Sequence, residues 1–209
     1  MKTVKTCLIL SFLAVFISSF TVNSPVPTEK IIKNFTLKAT NNQKISLLSY
    51  KNAKGFIIVF TCNKCPMAKL YSERLNNLNI KFKFKGIYLL AINSMDTVAY
   101  KEENFALMQK KVNKEKLNFP YLQDKSQKVA KQFGASCTPQ SFVIIKNYLG
   151  QWIVKYEGSI DNSALEPNKA NNYLEKAVDE LLQKKQLSNP FTKAVGCKIF
   201  YRGEVAIMD

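Results

Sequence analysis

Two unbroken apolar runs mark the centre of the predicted fold. Residues 56–60 (FIIVF) and 87–92 (IYLLAI) are rich in β-branched and aromatic side chains, which is typical of strands buried on both faces. Between them, the apolar positions from Met67 to Leu78 recur with the 3.6-residue period of one helix face. Two strands joined through one helix predict a right-handed βαβ unit with parallel strands.

Weaker patterns extend this unit on both sides. Short strands are predicted over residues 35–39 and 45–48, and the segments 141–146 and 151–156 predict an antiparallel hairpin. Helical periodicity follows the second buried strand over residues 98–113, 127–133 and 170–185. This order of elements predicts a single-domain α/β fold with a central mixed β-sheet flanked by helices.

The first residues have the pattern of a targeting segment. Lys2 and Lys5 precede an apolar stretch at 7–20, which is shorter than the roughly 20 residues that span a membrane. We therefore predict a signal peptide at 1–20, a linker at 21–34 and a domain at 35–205. An uncleaved membrane tether formed by 7–20 is the alternative. Both versions predict an exported protein, periplasmic or tethered facing the periplasm, where disulfide chemistry is permitted.

Composition and charge narrow the chemistry. The 209 residues include no histidine, which excludes Ser-His-Asp and Cys-His mechanisms and every His-ligated metal site. The net charge of +16 comes almost entirely from scattered lysines, and arginine occurs only at Arg74 and Arg202. Because arginine is the preferred reader of phosphates and base edges, we predict no nucleic-acid partner. The alternating segment 81–85 (KFKFK) is predicted to be a solvated edge segment.

A C-x-x-C motif lies where the first buried strand ends. Cys62 and Cys65 are followed by Pro66, which fits the first turn of a helix. Unpaired N–H groups at a helix start stabilise a thiolate, so we expect a lowered pKa at Cys62, with the Lys64 cation favouring it further. Cys62 is the predicted attacking thiol and Cys65 the resolving one. A zinc site lacks further ligands at the required spacing, and a purely structural disulfide is less favoured at such a reactive position.

A second signal, Cys137-Thr138-Pro139, stands immediately before the strand predicted at 141–146. A proline at a strand entry either ends the pairing or forms a cis turn. Cys137 and Cys197 complete an even number of cysteines once the targeting segment, with Cys7, is removed. We expect a Cys137–Cys197 disulfide that ties the C-terminal tail to the core. The alternative is that this pair relays electrons to or from Cys62 and Cys65.

The chain resembles the thioredoxin-like redoxin family, the alkyl hydroperoxide reductase/thiol-specific antioxidant superfamily. The resemblance covers about residues 34–202 and is carried by the segments FTCNKCP (60–66), Tyr71 with Glu73-Arg74-Leu75, AINSMD (91–96), NFPYLQDKSQKVAKQFGASCTPQSFV (118–143) and GCKIFYR (196–202). It implies a thioredoxin-like fold, a redox pair at Cys62 and Cys65, and a cis-Pro139 that with Thr138 holds the substrate. Where many members have histidine before the second cysteine, this chain has Lys64.

Three functions remain open, in order of preference. The first is an exported thiol-disulfide oxidoreductase that acts on protein or small-molecule disulfides and thiols, with a separate redox partner and without cofactor or metal. The second is a peroxiredoxin-like thiol peroxidase. It is less favoured because the Pro-x-x-x-Thr-x-x-Cys motif is absent: Gly55 and Val59 stand in place of its proline and threonine. The third is a thioredoxin-fold binding module without activity. No acidic residue near the cysteines is identifiable from the sequence.

Overall fold

A computed structural model describes residues 29–203 of the chain. The ten strands are β1 (Ile31–Ile32), β2 (Thr36–Ala39), β3 (Lys44–Ser46), β4 (Gly55–Phe60), β5 (Ile87–Asn93), β6 (Tyr121–Gln123), β7 (Cys137–Thr138), β8 (Gln140–Lys146), β9 (Trp152–Gly158) and β10 (Cys197–Lys198). The α-helices are α1 (Pro66–Lys69), α2 (Ser72–Lys83), α3 (Phe105–Glu115), α4 (Lys128–Phe133) and α5 (Tyr173–Leu182). Short 3₁₀ turns lie at Leu47–Ser49, Lys101–Glu103 and Pro167–Lys169.

Eight strands form one mixed sheet in the order β1-β9-β8-β4-β5-β6-β2-β3. Strands β4, β5 and β6 are parallel to one another, and the remaining neighbours in the sheet are antiparallel. The predicted βαβ unit and the predicted hairpin are therefore confirmed. With helices on both faces of the sheet, the molecule has the predicted thioredoxin-like α/β fold.

Strand β4 runs through the middle of the core because both of its faces are covered. Phe56, Ile58 and Phe60 point into one apolar cluster, which also contains the buried side chains of α4. Ile57 and Val59 point into a second cluster on the opposite face, built with side chains of α2 and α5. This arrangement explains the unbroken apolar run, since every residue of the strand is buried. It also holds the end of β4, where the C-x-x-C motif follows, in a fixed position.

Three sequence predictions need correction. The segment predicted as a linker already contains β1, which pairs with β9 because Ile32 is needed in the core. The helix predicted from Met67 to Leu78 is two helices, interrupted at Leu70 and Tyr71 between α1 and α2. The segment 81–85 is the end of α2 and the turn after it rather than a sheet edge. The predicted targeting segment, residues 21–28 of the linker and the last residues of the predicted domain lie outside the described residues.

None of the helices between residues 29 and 203 combines the length and the apolar character that crossing a bilayer requires.

Candidate active site

The two cysteines of the C-x-x-C motif lie in the loop between β4 and α1. Cys65 is the N-cap of α1 and Pro66 is its first residue, a position where the missing proline N–H costs nothing. The backbone N–H of Cys65 donates a hydrogen bond to Cys62 Sγ over 3.3 Å, which folds the loop back on itself. Both side chains are buried, with exposed fractions of 2% and 3%. The two predicted cysteines therefore lie next to each other and are buried.

The loop before β8 faces this pair. The Thr138–Pro139 peptide bond is cis, as predicted. Thr138 Oγ1 lies 3.3 Å from Cys62 Sγ, and the Cys65 thiol donates to the Thr138 carbonyl oxygen over 3.1 Å. Thr138 therefore contacts both sulfurs, one through its side chain and the other through its backbone.

The C-terminal tail closes the other side of the site. Strand β10 pairs antiparallel with β7, so that Cys197 stands opposite Thr138 and Lys198 opposite Cys137. Cys197 Sγ lies 2.7 Å from Cys65 Sγ. Cys197 is the more accessible of the two, being only partly buried.

The tail approaches so closely because residue 196 is glycine. A Cβ at Gly196 would lie 2.0 Å from the Thr138 carbonyl oxygen, which no side chain can tolerate. The glycine is needed because there is no room for a side chain, and not because the backbone is left-handed.

The structure contains no bond between Cys137 and Cys197, so the predicted disulfide stays a prediction. The register of β10 against β7 explains this result, since Cys197 pairs with Thr138 and not with Cys137. Neighbouring residues of a strand point to opposite sides, so Cys137 and Thr138 present different faces to the tail. The sulfur that meets Cys197 belongs to Cys65.

Sequence reasoning missed the carboxylate behind the C-x-x-C loop. Glu103 is buried, with an exposed fraction of 2%, and it lies in the short turn before α3. Its Oε2 accepts hydrogen bonds from the Asn63 backbone N–H over 2.6 Å and from Asn93 Nδ2 over 2.9 Å. Its Oε1 accepts from the Lys64 backbone N–H over 3.0 Å. The side chain thus fixes the two residues between the cysteines.

No signal in the sequence singled out Glu103. It follows Glu102 in a polar segment, and only the chain path from β5 back across the loop brings it beneath Asn63. A buried residue at the end of a run of charged residues has no hydrophobic periodicity to reveal it.

Lys64 points away from the pair. Its ammonium group lies 3.1 Å from the Glu102 carboxylate, and its side chain is 72% exposed. An exposed ion pair of this kind is screened by water and salt. The structure therefore gives Lys64 a surface contact, while its predicted role in tuning Cys62 stays a prediction.

The charge of the thiol pair is arranged differently from the sequence prediction. The hydrogen bond with the Cys65 thiol, burial and the Glu103 charge raise the pKa of Cys62, against smaller lowering effects from Thr138 and the Cys65 amide. The pKa of Cys65 is lowered to about 4, chiefly by the hydrogen bond with the Cys62 thiol, against burial, and further by the Cys197 thiol. The pair thus gives up one proton readily and holds the second.

Within the pair, the lowered pKa falls on Cys65, and a lowered pKa at Cys62 stays a prediction. Two features account for the difference. The N-cap of α1 is Cys65 rather than Cys62, and α1 has only four residues, so that its dipole is small. In addition, Glu103 places a negative charge on the Cys62 side of the loop. The pKa of Cys197 is raised to about 11, mainly by burial and then by its contact with Cys65.

An open cavity of about 460 Å³ lies next to Pro139. Met67, from the helix after the motif, and Val195, from the tail, line it together with residues 159–162. The cavity provides room for a side chain of a bound molecule beside the cis-proline. Among residues 29–203, no group of three or more cysteine, aspartate or glutamate side chains is arranged to hold a metal ion.

The chain is similar in sequence to known proteins. The model of the AhpC/TSA family matches residues 28–154. The chain is 32% identical over 115 residues to the thiol-disulfide oxidoreductase ResA of Bacillus thuringiensis (strain Al Hakam). The aligned residues cover 54% of this chain and 61% of that protein. The chain is 29% identical over 148 residues to the ResA of Bacillus thuringiensis subsp. konkukian (strain 97-27), covering 70% and 79%.

A solved structure is similar over a larger part of the chain. An uncharacterized conserved protein from Geobacillus kaustophilus superposes with a TM-score of 0.76 at 28% identity. The superposition covers 85% of this chain and 94% of that one. The match therefore extends the similarity beyond the residues that the family model covers.

Proposed function

The chain belongs to the AhpC/TSA family, and we propose that it is a thiol-disulfide oxidoreductase whose working dithiol is Cys62 and Cys65. The observation that carries the proposal is the geometry of two buried, adjacent sulfurs that both contact Thr138 in the cis-proline loop. A thiolate at neutral pH is what disulfide exchange requires. The ResA relatives named above bear this activity in their names.

The proposed reaction transfers two electrons to the substrate. The Cys62 thiolate attacks one sulfur of a substrate disulfide, and the other substrate sulfur leaves as a thiolate that takes up a proton. Cys65 then attacks the Cys62 sulfur of the mixed disulfide and releases the second substrate thiol. The products are a reduced substrate and a Cys62–Cys65 disulfide, which a separate redox partner reduces again.

Contacts around Cys62 support its role as the attacking sulfur. The Cys65 backbone N–H donates to Cys62 Sγ and can stabilise a thiolate there, and the Thr138 hydroxyl lies 3.3 Å from the same sulfur. Cys65 instead faces the Thr138 carbonyl oxygen and Cys197, inside the site. We propose that Thr138 and Pro139 hold the substrate beside Cys62, with a substrate side chain in the adjoining cavity.

Peroxide reduction has less support from the site. Val59, which stands three residues before Cys62 where a peroxidatic site has threonine, is fully buried in β4. It offers no hydroxyl to orient a peroxide. Thiol–disulfide exchange needs no such group, because the reaction depends on the thiolate and on access to it.

Export of the domain is part of the proposal. The lysine-flanked apolar stretch at 7–20 supports a signal peptide at 1–20 or a membrane tether formed by 7–20. The domain at 35–205 would then work in the periplasm, free or tethered, on protein or small-molecule disulfides and thiols. β1 adds Ile31 and Ile32 to the folded part of that domain.

The reduction of a fluorescent dipeptide disulfide by dithiothreitol tests the proposal. We expect the wild-type protein to accelerate the reaction well above dithiothreitol alone and Cys62→Ser to bring the rate back to that background. Cys137→Ser is the matched control, since Cys137 is a buried thiol that bonds to neither cysteine of the pair. A wild-type rate equal to the background would instead indicate a binding module without activity.

A further inference from the structure

A third thiol stands in contact with the proposed dithiol. Cys197 lies beyond residues 28–154 that the family model matches, yet its Sγ is 2.7 Å from Cys65 Sγ. The sequence separates the two residues widely, so that only the folding of the C-terminal tail brings them together.

The tail is fastened on both sides of Cys197. Before it, Gly196 packs directly on the Thr138 carbonyl group. After it, the Ile199 backbone N–H donates to Ser136 over 2.8 Å, and the Ile199 side chain is buried in the core. The buried side chain of Gln127 then contacts the backbone at two further points, donating to Phe200 and accepting from Arg202. These contacts hold Cys197 against Cys65.

The backbone pairing of the tail has a chemical meaning. Strand β10 pairs with Thr138, the residue next to the cis-proline, and this pairing places Cys197 beside the cysteine pair. Its sulfur meets Cys65 rather than Cys62, which leaves Cys62 clear of the tail sulfur.

We propose that Cys197 is a third redox residue, which takes over the disulfide from Cys62 by bonding to Cys65; the proposal rests on the proposed function. Starting from the Cys62–Cys65 disulfide, the Cys197 thiolate attacks the Cys65 sulfur. The Cys65–Cys197 bond forms, the Cys62–Cys65 bond breaks, and Cys62 leaves as a thiolate. The proton that Cys197 gives up is balanced by the one available to Cys62, and no external oxidant or reductant is consumed.

The transfer moves the disulfide toward the surface. Cys62 and Cys65 are both almost completely buried, whereas Cys197 is only partly buried. A dithiol reductant that attacks the Cys197 sulfur releases the Cys65 thiolate, and the second reductant thiol then displaces Cys197 and completes the reduction. The reductant thus meets a sulfur that is more accessible than either member of the Cys62–Cys65 pair.

Cys137 does not fit this role, although it lies in the same strand pair. It stands opposite Lys198, and its thiol is buried. The residue of the strand pair whose sulfur lies against Cys65 is Cys197. Cys137 therefore serves as the matched control for Cys197.

Disulfide mapping of the full chain tests the proposal. The Cys62→Ser variant is equilibrated with mixtures of reduced and oxidised glutathione, quenched in acid, alkylated and digested without reductant. We expect most molecules to carry an intramolecular Cys65–Cys197 disulfide, and the same yield in Cys62→Ser with Cys137→Ser. Cys65 and Cys197 found as free thiols or as separate glutathione adducts in the folded variant overturn the proposal.

The wild-type protein provides the second arm. After oxidation with one equivalent of oxidant, we expect both the Cys62–Cys65 and the Cys65–Cys197 bonds in the peptide map; a map with Cys62–Cys65 alone contradicts the transfer. Neither arm needs substrate turnover, so the two proposals fail separately. If the protein forms the Cys65–Cys197 bond but reduces no test disulfide, the proposed function is wrong. If it reduces the test disulfide without forming this bond, only the proposed transfer to Cys197 is wrong.

Discussion

The two sides of the cysteine pair are formed by different kinds of side chain. Behind the loop, Glu103 accepts three hydrogen bonds, from the backbone of Asn63 and Lys64 and from the side chain of Asn93. In front of it, Cys65 faces the Thr138 carbonyl oxygen and the Cys197 thiol. Behind the loop, charge-assisted hydrogen bonds to the carboxylate hold the backbone in place. In front of the loop, thiols can exchange disulfide bonds. One side therefore positions the cysteines, and the other takes part in the reaction.

The largest expected effect comes from breaking the rear side. Glu103→Ala removes the acceptor of one buried donor, Asn93 Nδ2, and of two partly buried backbone N–H groups, those of Asn63 and Lys64. A buried unsatisfied group costs about 1–3 kcal/mol, so we expect the free energy of unfolding of the reduced protein to fall by about 2 kcal/mol or more, measured by urea denaturation. A loss below about 1 kcal/mol would show that the loop does not depend on this carboxylate.

Glu103→Gln is the matched variant, because it keeps the shape and removes the charge. Since the Glu103 charge raises the pKa of Cys62, its removal should lower that pKa. The stability loss should be smaller than for alanine, as one amide oxygen still accepts a hydrogen bond. A Cys62 pKa that stays the same in this variant contradicts the electrostatic role of Glu103.

The second effect concerns the front side. Gly196→Ala places a Cβ 2.0 Å from the Thr138 carbonyl oxygen, so the tail has to move away from β7. We expect the yield of the Cys65–Cys197 disulfide in the Cys62→Ser background to fall about ten-fold, and stability to fall by about 1–3 kcal/mol. Val195→Ala, at an exposed position of the same tail, is the control. An unchanged yield in Gly196→Ala would mean that the pairing does not hold the sulfurs together.

The smallest effect is expected at the surface. Lys64→Met removes an exposed ammonium group that pairs with Glu102 and leaves both sides of the pair intact. Because exposed charges are screened, the rate of thiolate alkylation at physiological salt should change by less than about three-fold. A larger change would restore the tuning role that the sequence predicted for Lys64.

Sequence reasoning succeeded where local patterns decide the structure. The β4 and β5 runs, the C-x-x-C motif after β4 and the proline before β8 each follow from residues close together in the chain. It failed at segment 81–85, where a five-residue alternation favoured an edge segment. In the structure, Phe82 lies on the buried face of α2, while Phe84 in the turn that follows is 85% exposed. Five residues are too few to separate the two periods.

The two largest gaps in the predicted site are long-range contacts. Glu103 reaches the loop from the turn before α3, and Cys197 reaches Cys65 through a two-residue strand pair. The even cysteine count suggested a Cys137–Cys197 bond, because a count cannot show that the tail sulfur lies against Cys65. Register decides that contact, and the register of a two-residue strand has no pattern in the sequence.

The account depends on one shared thiolate in the cysteine pair, and a pH titration of the reduced protein tests this directly. The thiolate absorbance of the wild type is compared with that of Cys62→Ser/Cys65→Ser from about pH 3 to about pH 10. We predict that the difference corresponds to one thiolate, present at neutral pH and lost on acidification near a pKa of about 4. Two thiols that both titrate near about 8.5, the value of ordinary cysteine, would contradict it.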